Sequence, residues 1–293
     1  MEAEIKKAVI AAAGAGTRFL PLTKVCAKEL LPLLDKPLID YSVSECKDAG
    51  INRVIFVLSP EKRAIFSYFK KNSKILNALK RDSQKEKYLK EFLKKEEEFK
   101  KIFFSCSFQT IPRGDGDAVL KARNCIKKEP FAVFFPDDVF VAKKPPISQL
   151  GKIFQTSGKI VVGLKKISAE RASSYGIAAV EKIANRLYKI KNIKEKPVSN
   201  NLPSNLAVVG RYILIPEIFA YLKKTLPNER KEILLVEAIN LMLRDGKVVY
   251  GYEIDGEWLE CGDKAKWIES NFCFALKHPE YGPKLKEMAV KGR

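Results

Sequence analysis

The chain has 293 residues, 46% hydrophobic and 30% charged, with 54 Lys or Arg against 35 Asp or Glu and a formal charge of +19. That length suits one large domain with an ample core, and the cation surplus suits anionic partners such as nucleotides, sugar phosphates or nucleic acid. A single histidine, His278, is the one residue through which Ser-His-Asp or Cys-His catalysis would have to run, and it excludes a histidine-rich zinc site. In chain order, the apolar run 7–13 predicts a buried strand, and 38–50 a helix closed by Gly50. Residues 53–58 predict a second strand, and 62–71 a helix with Ile65, Phe66 and Phe69 on one face. Residues 70–101 hold twelve Lys or Arg against six Asp or Glu, and their apolar positions recur at roughly helical spacing. They predict a solvated pair of helices packed by one apolar stripe. A strand over 102–108, a helix over 117–126 and a very apolar strand over 131–138, ending in two carboxylates, come next. A helix over 147–158 and a strand over 159–167 follow. Continuous apolar strands separated by helices predict a parallel sheet covered on both faces. After residue 170 the pattern changes. Residues 175–197 alternate as antiparallel strands do, 205–214 and 248–254 predict further strands, and 216–224, 232–246 and 264–277 predict helices.

The six cysteines, Cys26, Cys46, Cys106, Cys125, Cys261 and Cys273, include no CxxC pair and are read as small buried apolar residues. No apolar run approaches the ~20 residues that span a bilayer, and the N-terminus lacks the layout of a secretory signal. The expectation is a cytoplasmic protein with no membrane partner. The Lys-rich segment lacks the interleaved exposed aromatics of RNA-binding modules, so no nucleic-acid partner is expected.

The stretch Ala11-Ala12-Ala13-Gly14-Ala15-Gly16-Thr17-Arg18 follows the first strand directly. Two glycines one apart let backbone N–H groups turn inward and approach a phosphate. A dinucleotide fingerprint would need glycine where Phe19 stands, and the Walker pattern of Gly-Lys-Ser/Thr is missing. Arg18 and Lys28 follow instead, a planar fork and a mobile point charge for phosphate oxygens. On spacing alone, a structural tight turn with surface cations explains the segment equally well.

The segment Ala12–Pro37, with its A-A-G-x-G-T-R-F-L-P, K-E-L-L-P and D-K-P runs, resembles the opening of the nucleoside-diphosphate-sugar pyrophosphorylases. Within that superfamily it is closest to the bacterial UTP–glucose-1-phosphate uridylyltransferases. The resemblance continues through Gln109, Gly114 and Gly116, Pro136-Asp137-Asp138, Tyr175-Gly176-Ile177, Glu195-Lys196-Pro197, the stretch from Pro203 to Tyr212 and Cys261-Gly262-Asp263-Lys264. It implies an α/β fold with a Rossmann-like mixed, mainly parallel sheet and helices on both faces. It implies one nucleotidyltransferase domain over 1–270, with a nucleotide-binding half (1–170), a sugar-phosphate-binding half (171–270) and a helical tail (271–293). It also implies a homodimer or homotetramer.

The same resemblance assigns roles. Arg18 and Lys28 would be catalytic, stabilising a triphosphate and its leaving pyrophosphate. Ala12, Ala13, Gly14, Gly16, Thr17, Glu29, Gln109 and Gly114 would bind the nucleotide, with the Gln109 amide offering donor and acceptor to a uracil edge. Gly176, Glu195, Lys196 and Asn205 would bind the sugar phosphate. Asp137 would hold Mg²⁺, and Glu260, where the family has aspartate, would be a second, longer metal-facing acid. The implied reaction is in-line attack of glucose 1-phosphate on the α-phosphorus of UTP, which needs no general base because the nucleophile is already anionic. Departures from the family pattern include Asp115 and Asp117 after Gly114, Cys26-Ala27 before Lys28, and Glu237. They leave open a dTTP-dependent or other sugar-1-phosphate transferase, and a regulatory paralogue that has lost turnover.

Overall fold

Buried strands with two apolar faces need cover on both sides, and the chain supplies it. The computed structural model describes residues 4–197 and 202–291. Its strands are β1 (Lys7–Ala11), β2 (Pro32–Leu33), β3 (Lys36–Pro37), β4 (Arg53–Leu58), β5 (Phe103–Phe108), β6 (Phe131–Phe134) and β7 (Asp138–Val141). The later strands are β8 (Ile160–Lys166), β9 (Gly176–Ala184), β10 (Leu187–Glu195), β11 (Leu206–Leu214), β12 (Val249–Glu253) and β13 (Glu257–Glu260). Nine of them form one sheet in the order β5-β4-β1-β6-β11-β8-β12-β10-β9. Strands β5, β4, β1 and β6 run parallel. Strand β11 enters antiparallel between β6 and β8, and β12 lies parallel to β8. Strands β10 and β9 close that side antiparallel, as the alternating stretch 175–197 predicts. The sheet is mixed, with its parallel pairing concentrated in the first half of the chain. It runs unbroken through both halves.

The helices are α1 (Leu38–Asp48), α2 (Arg63–Tyr68), α3 (Ser73–Lys80), α4 (Glu86–Glu98), α5 (Asp115–Lys121) and α6 (Arg123–Ile126). They continue with α7 (Pro146–Ser157), α8 (Ile218–Lys224), α9 (Leu235–Arg244), α10 (Lys264–Lys277) and α11 (Gly282–Val290). Helices α1, α2 and α7 cover one face through Ile39, Val43, Ile65, Leu150 and Phe154. Helices α5, α6, α8 and α9 cover the other through Val119, Ile126, Phe219, Leu235 and Ile239. A third, smaller core gathers Phe19, Leu33 and Leu259 under Trp267 and Phe274 of α10.

The departures from expectation lie around the site. The strand predicted over 131–138 stops at Phe134, the chain turns at Phe135–Asp137, and Asp138 opens β7. Pro136 has no N–H to continue a ladder, which explains the break. Strand β7 pairs with β13, Asp138 opposite Glu260. Neither β13 nor the β2–β3 hairpin was expected; at four and two residues they are too short to show a period. The helix predicted from 117 starts at Asp115, because Gly114 enters it at φ 92° against the Ile233 backbone. The helix predicted from 232 starts at Leu235, because Ile233 and Leu234 form that facing wall.

Candidate active site

The loop after β1 is built for anions. Between Ala13 and Gly16 no backbone N–H donates to a protein acceptor among the described residues. Gly16 sits in the left-handed region at φ 68°, with its carbonyl accepting from Thr23 Oγ1 at 2.9 Å. The carbonyls face the other way. Lys62 Nζ donates to Ala12 O at 3.1 Å and Gly14 O at 2.5 Å, and meets Glu29 Oε1 and Oε2 at 2.9 and 2.8 Å. Burial lowers the Lys62 pKa, with the Glu29 charge opposing. Glu29, expected at the nucleotide, is instead buried under the loop with both oxygens on Lys62. It acts on the loop through that lysine. Ala12 is likewise buried and contributes its carbonyl to the same lysine.

Two cavities meet here. One, of about 540 Å³, is lined by Ala13, Lys24, Cys26, Lys28, Lys62 and Gln109 among others. The other, of about 550 Å³, is lined by Thr17, Arg18, Asp137, Gly176, Glu195 and Lys196 among others. The seam between them is an ion pair, Lys28 Nζ to Asp137 Oδ2 at 2.7 Å. Burial opposes ionisation of Asp137, but Lys28 and Arg18 outweigh it and hold the carboxyl below its usual range. Burial also works against the charge on Lys28, and Asp137 and Glu29 raise its pKa despite that. Gly262 packs beside this group: a Cβ there would lie in ordinary contact, 3.4 Å from Arg18 Nη1 and 3.7 Å from Asp137 Oδ2.

The neighbouring Asp138 is structural. Its oxygens accept from Gly210 N at 2.8 Å and Trp258 Nε1 at 2.7 Å. Burial, and then the charge of Asp137, push its carboxyl up to about 7. Arg211, 1% exposed, supports the turn from behind through Phe135 O and Asp138 O, and pairs with Glu45 at 2.9 Å.

Glu260 departs from the expected role. It lines the second cavity, but Oε2 accepts from Arg171 at 2.7 Å and from Tyr175, and Oε1 accepts from Lys266. Two cations and a hydroxyl engage both oxygens, so in this structure the carboxylate is the hub of an ionic cluster. Among the described residues no group of three or more His, Cys, Asp or Glu is placed to hold a metal. Asp137 Oδ1 carries no protein partner among the described residues, which fits a Mg²⁺ held by one carboxylate and substrate phosphates.

On the sugar side, Gly176 pairs with Glu195 across β9 and β10, and a Cβ on it would lie 3.0 Å from Glu195 Oε2. Burial raises the Glu195 pKa against the opposing charge of Lys196. Lys196 has φ 43°, in the left-handed region, held by its N–H on Tyr175 O at 2.9 Å. Asn205 is not brought there. It is exposed at the start of β11 and lies outside the cavity lining; its carbonyl accepts from Ile167. At Gly114 the missing Cβ makes room for the Ile233 carbonyl, 2.6 Å from where a Cβ would stand. Gln109 is 3% exposed, and its Nε2 donates to Asp117 Oδ2 at 2.8 Å and Gly114 O at 3.0 Å. Sequence reasoning missed Lys62, Arg171 and Lys266. A lysine on an amphipathic helix and cations beside aromatics look like ordinary surface, and no local signal marks them.

A family model described as nucleotidyl transferase matches residues 7–273. A UTP–glucose-1-phosphate uridylyltransferase of Staphylococcus haemolyticus is 39% identical over 98% of this chain and 97% of its own. A solved UDP-glucose pyrophosphorylase complexed with UDP-glucose superposes with a TM-score of 0.84 at 34% identity, over 94% of this chain and all of that one. The UTP-bound enzyme from Acinetobacter baumannii gives a TM-score of 0.88 at 32% identity, over 99% of this chain and all of that one. The loop of free amides, the cation–carboxylate seam and near-complete coverage by these relatives agree: the chain belongs to the nucleotidyl transferase family.

Proposed function

We propose that the protein forms UDP-glucose and pyrophosphate from UTP and glucose 1-phosphate. The observation that carries this reading is the Lys28–Asp137 pair, with Arg18 beside it, at the seam of two cavities. The first cavity takes the nucleotide, its base against Gln109 and its phosphates running along the free amides toward Lys28 and Arg18. The second takes the sugar phosphate, with Glu195 accepting from sugar hydroxyls and Lys196 aiming the phosphate across the seam. The nucleophile is already anionic, so the chain has only to align it in line with the α-phosphorus and neutralise charge as pyrophosphate leaves. Asp137 would hold a Mg²⁺ ion, which neutralises phosphate charge when bound. The reading also places the protein in the cytoplasm as a homodimer or homotetramer, a state that sedimentation measures directly.

The test is pyrophosphate release with glucose 1-phosphate and each of UTP, dTTP, CTP, GTP and ATP, with and without Mg²⁺. UTP is the preferred donor, and Arg18→Ala lowers turnover by about 10²–10³, the cost of one lost transition-state donor. Near-native turnover in that variant removes Arg18 from the chemistry. Tight UTP binding with no product in the wild type makes the chain a binding paralogue instead.

A further inference from the structure

A primary amide that reads a base is ambiguous, because a half-turn exchanges its donor and its acceptor. In this chain that freedom is absent. Gln109 Nε2 is flanked by two acceptors, Asp117 Oδ2 at 2.8 Å and Gly114 O at 3.0 Å. A carboxylate and a carbonyl both repel an amide oxygen, so Nε2 must occupy that place. Oε1 is left with no protein partner among the described residues, yet it is not a fully buried orphan, and Gln109 lines the first cavity. Asp117 is itself 4% exposed and held from its other side by Lys121 at 3.7 Å. The amide therefore presents a lone acceptor to whatever fills the cavity.

We propose that Asp117 is the positioning residue that sets base choice, by locking Gln109 so that only a base with a ring N–H at that point is accepted. This rests on the reading of the Gln109 cavity as the base site. Uracil has one donor on its pairing edge, N3–H, between two carbonyls, so a lone acceptor that binds uracil must meet N3–H. Thymine presents the same edge. Cytosine in the same pose turns a bare N3 lone pair toward Oε1, and the locked amide cannot rotate to offer Nε2. A site built around one buried hydrogen bond rejects a base that leaves it unmade far more strongly than shape alone does.

The experiment compares kcat/KM for UTP and CTP with glucose 1-phosphate in the wild type and in Asp117→Asn. The wild type favours UTP by about 10³-fold or more. The substituted amide can itself turn to donate, so position 117 no longer demands a donor from Gln109 and gives up a charge-assisted bond, leaving the neutral Gly114 O at 3.0 Å as the weaker remainder of the lock. The ratio then narrows by about tenfold or more, chiefly through better use of CTP, a change that a general loss of stability does not produce. An unchanged ratio in a variant that still turns over UTP overturns the proposal and leaves the uridylyltransferase reading intact. If the variant does not fold, two analogues decide with the wild type. N3-methyl-UTP, lacking the ring donor, is used at least about a hundredfold less well than 5-methyl-UTP, which keeps it. Equal use of the two analogues overturns the proposal. A wild type that turns over no UTP sinks the function and this inference together.

Discussion

Lys62 sits with its side chain 10% exposed against a Glu29 side chain 1% exposed, and its remaining hydrogens grip two carbonyls of the glycine loop. A buried pair of this kind adds little net stability, but removing one partner strands the other charge without water. Lys62→Met leaves Glu29 buried and unpaired and costs about 3–5 kcal/mol. Pairing that change with Glu29→Gln restores part of the loss, because an amide needs less compensation than a carboxylate. Both variants bind UTP more weakly, since nothing then turns the loop carbonyls inward and its amides outward. Urea unfolding and UTP titration measure the two effects, and a double variant no more stable than the single one refutes the account. The same scale explains Glu260. Its side chain, one methylene longer than aspartate, ends between Arg171 and Lys266. A motif shows that an acid stands before Cys261; it does not show which cations wait for it from distant segments.

The cation-rich segment between β4 and β5 folds as the expected helix pair, and ion pairs to α1 fasten it, with Lys95 Nζ on the buried Asp40 at 2.6 Å and Glu98 on a second lysine. Glu98 at the end of α4 accepts from Lys47 Nζ at 3.0 Å on α1, and from Lys95 Nζ at 2.9 Å on its own helix. Burial pushes the Glu98 carboxyl up, but the two ammonium groups prevail and hold it at about 2, below its ordinary 4.5. A carboxyl with a depressed folded pKa contributes stability above its unfolded value, and that contribution is lost as pH falls toward the folded value. Glu98→Gln therefore lowers the melting temperature at neutral pH and speeds amide exchange in α4. The two proteins' melting temperatures then converge between about pH 4.5 and 2 as the wild type loses what the variant never had. A constant gap across that range refutes the linkage. Elements with a full period, such as β4, α7 and the β9–β10 hairpin, were legible in the sequence because their apolar spacing is set by local geometry. The break at Pro136, the short β7–β13 ladder and the delayed start of α9 were not. The break comes from one residue, Pro136, inside an otherwise apolar run, and the other two are decided by what packs opposite from more than a hundred residues away in the chain.

The formal charge of +19 is not repeated inside the site. The nucleotide cavity is lined by Lys24, Lys28 and Lys62 with Glu61 as its one acid among the described residues. The sugar cavity is lined by six acids, Asp115, Asp137, Asp138, Glu195, Glu232 and Glu260, against Arg18, Lys196 and Arg230. A basic molecule draws both anionic substrates from a distance, but only the first cavity has more cations than acids in its lining. Asp137 is already paired with Lys28, and Glu260 with Arg171 and Lys266, so a sugar phosphate entering the second cavity alone meets a nearly balanced lining rather than a cation surplus like that of the first. With the nucleotide and its metal already seated, that balance shifts toward attraction at the seam. UTP with Mg²⁺ should thus bind first and raise the melting temperature in proportion to the logarithm of its concentration. At a hundred times its dissociation constant the gain is about 2.7 kcal/mol. Glucose 1-phosphate alone should give little shift, and a further shift once a non-hydrolysable UTP analogue is present. The UTP response should weaken with added salt, since Gly14, Ala15, Arg18 and Lys24 face solvent until the ligand arrives. Thermal melts over a matrix of the two ligands and ionic strength measure all of this. An equal stabilisation by glucose 1-phosphate alone means that Arg18, Lys196 and Arg230 hold the sugar phosphate without help from the nucleotide and its metal, and the charge argument for binding order fails.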